Sequence, residues 1–147
     1  MHALLLVLAI SMIALSCNAR AVDNSCLDDA ATQRALNYCA DSVRLQSTQL
    51  LKKLMGELHL REDLTAEEKD KLSQIHQVWY ESVDLDCKWK SSSYKRSTQF
   101  PYILHNCWTE KILQRVEWLA PSLCPKGQTE CMISRQYINA LPYNFNR

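Results

Sequence analysis

Glycine and proline are scarce in this 147-residue chain, with two of the first and four of the second. That scarcity, with no low-complexity run, excludes a collagen-like rod and a Pro/Gly-rich disordered tail. No strand-period alternation and no hairpin dipeptide is found, so the fold class expected is all-α. Charge of one sign is lacking too: 17 basic side chains face 16 acidic ones, and no nucleic-acid partner is expected. The cysteines, spaced 13, 48, 20, 17 and 7 residues apart from Cys26 onward, contain no Cys-x-x-Cys pair. No histidine stands at a metal-ligand interval, so neither a metal nor another cofactor is expected. His59, His76 and His105 are isolated, there is no Gly-rich phosphate loop, and no Ser or Cys has a base partner in a recognisable motif. The expectation is a protein that is not an enzyme.

What is present begins with an apolar run over residues 3–15, broken only by Ser11. It is shorter than the roughly 20 residues a membrane span needs and suits the core of a signal peptide. Small residues at Cys17-Asn18-Ala19 and Ala19-Arg20-Ala21 make cleavage after Ala19 or Ala21 the expectation. Either cut discards Cys17, the seventh cysteine, and leaves Cys26, Cys39, Cys87, Cys107, Cys124 and Cys131. An even six in an exported chain reads as three disulfides in an oxidising compartment, periplasmic or secreted. Membrane anchoring is expected only if Cys17 is lipidated, and Ala14-Leu15-Ser16 before it is a poor lipobox.

Three helices follow. Over residues 30–60, Leu36, Ala40, Val43, Leu50, Leu54 and Leu58 recur at the spacing of one buried stripe, with Gly56 a point of fraying or bending. Thr65-Ala66-Glu67-Glu68 is a capping box that starts the second helix. Leu72, Ile75, Trp79, Val83 and then Asp86 or Cys87 continue one face of it, and it ends in the polar stretch 90–98. The third starts near Pro101, carries Ile103, Leu104, Cys107, Ile112, Val116 and Leu119 on its apolar face, and stops at Pro121. A helical turn around Ile133, Tyr137, Ile138 and Leu141 completes the chain. The organisation expected is a signal peptide at residues 1–21, a domain of three antiparallel helices at 22–124, and a C-terminal appendage at 125–147 closed by a Cys124–Cys131 loop. For the other four cysteines, a hairpin turning near Asp63 sets Cys39 level with Cys87, and Cys107 lies at a similar height on the third helix. Cys26 can reach the second or the third helix, so the connectivity stays open.

Cys26-Leu-Asp-Asp-Ala-Ala-Thr32-Gln33-Arg-Ala-Leu36-Asn37-Tyr-Cys39-Ala40 resembles the opening of the LprI-like lysozyme-inhibitor domain. Trp79 with Asp86-Cys87 is similar to that family's Trp-and-Asp-Cys helix, and Cys107-Trp-Thr109 with Arg115 and Leu119 to its closing pattern. The resemblance spans residues 26 to about 119. It implies an exported, helical, disulfide-bonded protein of the bacterial envelope and, for some members, inhibition of lysozyme. The partner implied is a protein, a lysozyme or other cell-wall hydrolase, covered sterically with no chemistry by the inhibitor. The alternatives are a periplasmic immunity protein against a delivered toxin, and a structural or stress-related envelope protein with no enzyme target.

For the motif residues, the structural expectation is that Thr32 caps the first helix, that Asn37 and Arg115 join inter-helix hydrogen bonds, and that Trp79 lies in the core. Lys88, Trp89, Lys90, Tyr94, Lys95 and Arg96 mix cations with aromatics and form the candidate partner-binding stretch. A cationic lysozyme would be better met by the acidic cluster of Glu62, Asp63, Glu67, Glu68 and Asp70 at the other end of the hairpin.

Overall fold

Thr32 sets the start of the first helix: its backbone is extended and its hydroxyl accepts from the Ala35 amide at 3.1 Å. Helix α1 then runs from Gln33 to Leu60 without interruption, Gly56 included. The computed structural model describes residues 19–142; the apolar run at 3–15, Cys17 and residues 143–147 lie outside the described residues. Helix α2 (Ala66–Lys90) opens on the expected capping box, with Thr65 Oγ1 accepting from the Glu68 amide and Glu68 accepting from the Thr65 amide. Helix α3 (Phe100–Leu119) carries Pro101 in its first turn, and α4 (Met132–Asn139) is two turns long. Among the described residues there is no strand, and no helix is long and apolar enough to cross a membrane.

Sequential helices run antiparallel, which leaves α1 and α3 side by side and parallel. Asn37 Nδ2 donates to the Thr98 carbonyl, Arg44 Nε to His105 Nδ1, and Arg61 Nη1 to the Ser122 carbonyl, each pair 61 residues apart. Between these links Val43, Leu50, Leu54 and Leu58 of α1 face Ile112, Leu113, Val116 and Leu119 of α3 in one core. Ser47 sits in the same stripe, fully buried, and satisfies its hydroxyl on the Val43 carbonyl at 2.8 Å. Tyr137 and Ala140 of the C-terminal segment join that core, and the Val22 amide donates to the Ala140 carbonyl at 2.9 Å. The N-terminal segment and α4 therefore belong to the same packed unit as α1 and α3.

Helix α2 is held differently. Only Val83 and Cys87 are buried on it, in a small cluster with Cys107 of α3. Ile75, expected on its inner face, is exposed, and of Asp86 and Cys87 it is Cys87 that continues that face, which is centred on Trp79, Val83 and Cys87. The cysteine pairing also departs from the levels read along the hairpin. Cys39 pairs with neither Cys87 nor Cys107 but with Cys26 (Cα–Cα 5.8 Å), because the turn at Ser25–Leu27 folds back onto the first turns of α1. Cys87 pairs with Cys107 (5.6 Å), which faces α2 and not α1, and Cys124 pairs with Cys131 as expected.

Two substitutions within one turn of α1 separate core from surface. Leu54 is fully buried, and Leu54→Ala is expected to cost about 2–5 kcal/mol. A Cβ added at Gly56 meets nothing, so Gly56→Ala is expected to gain about 0.5–1 kcal/mol. Urea unfolding of the oxidised protein measures both.

Candidate functional site

The candidate partner-binding stretch is not a loose loop. Lys88, Trp89 and Lys90 form the last turn of α2, and Tyr94 lies in a short 3-10 turn. Ser91, fully buried, donates its hydroxyl to the Cys87 carbonyl at 2.8 Å. Turn bonds from Tyr94 to Ser91 and from Ser97 to Tyr94 carry the chain on to α3. Lys88 lies 2.5 Å from Asp84 and Lys90 3.5 Å from Glu110, so half of its cations are already partnered. Lys95 and Arg96 remain exposed, beside the hydrogen bond that joins Asn37 to Thr98. The acidic cluster is reduced in the same way: Asp63 pairs with Arg61, Glu67 with Lys71, and Glu68 with Lys126. Hydrogen bonds from Arg61 hold the Asp63 carboxyl below its ordinary range, and those from Thr65 do the same for Glu68.

The family-motif positions serve mostly as joints. Thr32 caps α1, and Gln33 Nε2 donates to Asn37 Oδ1, which leaves Asn37 Nδ2 for the Thr98 carbonyl. Leu36 is half-buried, while Ala40 and Leu119 are core. Asp86 reaches Lys111 at 3.6 Å, and Thr109 buries a hydroxyl that has no partner among the described residues. Trp79 is half-buried and packs against both core clusters. Arg115 departs from expectation: Nε and Nη2 are buried with no hydrogen-bond acceptor among the described residues. Its guanidinium lies instead between Trp79 and Trp118, at 5.4 and 4.7 Å from the ring centroids. Burial lowers its pKa from the usual arginine value.

Two features escaped the sequence reading. The first is a stripe on the outer face of α2. Ile75, Val78, Ser82, Leu85 and Trp89 alternate steps of three and four, the heptad spacing of a docking seam. Val78, Leu85 and Trp89 are 67%, 68% and 80% exposed, far more than a core stripe. From Gln74 to Cys87 every charged side chain is acidic: Glu81, Asp84 and Asp86. The alternation was legible in the sequence; which of two apolar faces turns outward was not.

The second is a cleft of about 370 Å³ between α1 and α2, floored by Leu104, Trp108 and Ile112 of α3. Arg44 and Lys52 stand on its α1 wall and His76, Trp79 and Tyr80 on its α2 wall. Tyr80 and Trp108 are in contact at 5.0 Å, and His76 stacks on Trp79 at 5.4 Å. His76 and His105, isolated in sequence, are thus neighbours of this cleft. His105 Nδ1 accepts from Arg44, which fits a neutral ring. Among the described residues no group of three His, Cys, Asp or Glu is placed to hold a metal.

A family model described as lysozyme inhibitor LprI matches residues 26–119, well over half of the chain. The chain belongs to the LprI lysozyme inhibitor family. The LprI match takes in α1, α2, α3 and two disulfides, and ends before the Cys124–Cys131 loop and α4. LprI proteins are exported inhibitors, not enzymes, and three disulfides agree with an oxidising compartment outside the cytoplasm. No curated protein and no solved structure matches the chain.

The two half-buried histidines give the fold a pH dependence. Burial pushes both His76 and His105 below the ordinary 6.5. Below that value the unfolded chain binds more protons than the folded one, so stability falls as the pH drops. Urea unfolding is expected to show a lower midpoint at pH 5.5 than at pH 7.5. The His76→Gln/His105→Gln variant is expected to lose less over the same interval.

Proposed function

We propose that the protein is an exported inhibitor of a lysozyme-type muramidase, and that it acts by covering the enzyme's cleft with the outer face of α2. The observation that carries this is the stripe of Ile75, Val78, Leu85 and Trp89, with the Glu81 carboxylate beside it, in a chain of the LprI family. Exposed apolar side chains that form a continuous row mark a contact surface, whereas scattered ones do not. Glu81, which has no ion pair among the described residues, suits a cationic partner, and the apolar row supplies the buried centre. The Cys87–Cys107 disulfide ties the last turns of α2 to α3, so little order is lost there on binding. The chemistry required of the inhibitor is none; it excludes substrate.

In this reading the leader ends at Ala19 or Ala21, and both cuts keep Val22, which the core uses, in the mature chain. Of the basic stretch only Trp89 belongs to the contact row, and Lys95 and Arg96 lie away from it.

Purified oxidised protein is expected to inhibit at least one muramidase in a lytic assay. Val78→Arg/Leu85→Arg should weaken inhibition by about tenfold or more with the melting temperature unchanged. Lys95→Glu/Arg96→Glu should change it by less than about threefold. Full muramidase activity at saturating inhibitor overturns the function; unaltered inhibition by the α2 variant overturns the surface.

A further inference from the structure

We propose that the cleft between α1, α2 and α3 is a binding site for a small amphiphilic anion, a carboxylate or similar acid on an apolar body. Its volume of about 370 Å³ falls at the lower end of small-molecule sites, which are mostly apolar with a few polar groups. The apolar part is the α3 floor with Leu51 and Met55, closed by the plates of Trp79, Tyr80 and Trp108.

The charge around it selects the ligand's sign. The one carboxylate in the lining, Asp84, is held by Lys88 at 2.5 Å, and Arg44 is held by Asp41 at 2.7 Å. Lys52, on the same wall as Arg44, has no ion pair among the described residues. Behind Trp79, outside the lining, stands Arg115, with Nε and Nη2 buried and no acceptor among the described residues. The surroundings thus hold two unbalanced cations, Lys52 on the α1 wall and Arg115 behind the aromatic wall. Both charges attract an anion in the cleft and repel a cation, and an alkane gains nothing from them. A neutral sugar would stack on the same rings but leaves the cations unbalanced. Neither Val78 nor Leu85 of the outer row lines the cleft.

The probe is dodecanoate, below its micellar concentration, titrated into the oxidised mature protein. Intrinsic fluorescence is the readout, since Trp79 and Trp108 line the cleft. A saturable, one-to-one change is expected, with a rise in melting temperature. Lys52→Glu should weaken binding about tenfold or more. Thr48→Trp, which fills the cleft from an exposed rim position, should abolish it while the far-UV circular dichroism is kept. Val78→Arg/Leu85→Arg should bind as the parent does. Absence of saturable binding overturns the proposal, as does equal binding of dodecyltrimethylammonium or of a chitin disaccharide, or an unchanged affinity in Lys52→Glu.

Discussion

Two helices that lie parallel cannot be joined by a short turn, so packing α1 on α3 at a constant offset of 61 residues obliges the chain to return through a full antiparallel helix. The largest buried side chains, Leu54, Leu58, Val116 and Leu119, all belong to that seam, with Tyr137 packed into the same core. Its ends are fixed by Asn37 on Thr98 and by Arg61, whose guanidinium reaches the Ser122 and Cys124 carbonyls. Helix α2 is the return path. Its only fully buried side chains among the described residues are Val83 and Cys87, with Leu72 and Trp79 partly buried against the core, and a disulfide ties it to Cys107. A helix that the core needs as a strut is free to carry side chains chosen for another purpose.

The same division accounts for the cleft. Because α3 supports both neighbours, α1 and α2 need not close on each other, and the gap between them is bridged by aromatic plates instead of filled by aliphatic knobs. Arg115 is the clearest consequence. On a tightly packed α2–α3 seam a guanidinium would demand a carboxylate, since a buried cation without one is costly. Here two tryptophan faces take that place, and part of the donor set stays open.

Much of the frame was legible from local chemistry. Thr65 with Glu68 fixed the start of α2, Pro101 the start of α3, and the short loop with Pro125 and Gly127 the pairing of Cys124 with Cys131. These signals act within a few residues, where geometry follows from sequence directly. The Cys26–Cys39 bond was not legible, because it depends on the turn at Ser25–Leu27 folding back against α1, and levels along a hairpin carry no information about that. Ile75 was assigned to the inner face for a related reason. Periodicity reports that two apolar rows exist on α2; only the position of α3 decides which is buried. Counting charges misled as well, since Lys88, Lys90, Asp63 and Glu68 are spent on neighbours and leave weaker patches than their number suggested.

The outer row of α2 is the one feature that folding does not require. Val78, Leu85 and Trp89 bury little, so their removal from water contributes little to stability. Valine and tryptophan are also poorer helix formers than lysine, glutamate or alanine, which would serve an exposed strut better. A row of apolar side chains on a solvent face further invites self-association, a cost that solubility alone would remove. Neither packing, propensity nor solubility therefore explains these residues in the free protein. Their energy is realised only when another surface covers them, and the carboxylate of Glu81 among them makes a cationic surface the better match.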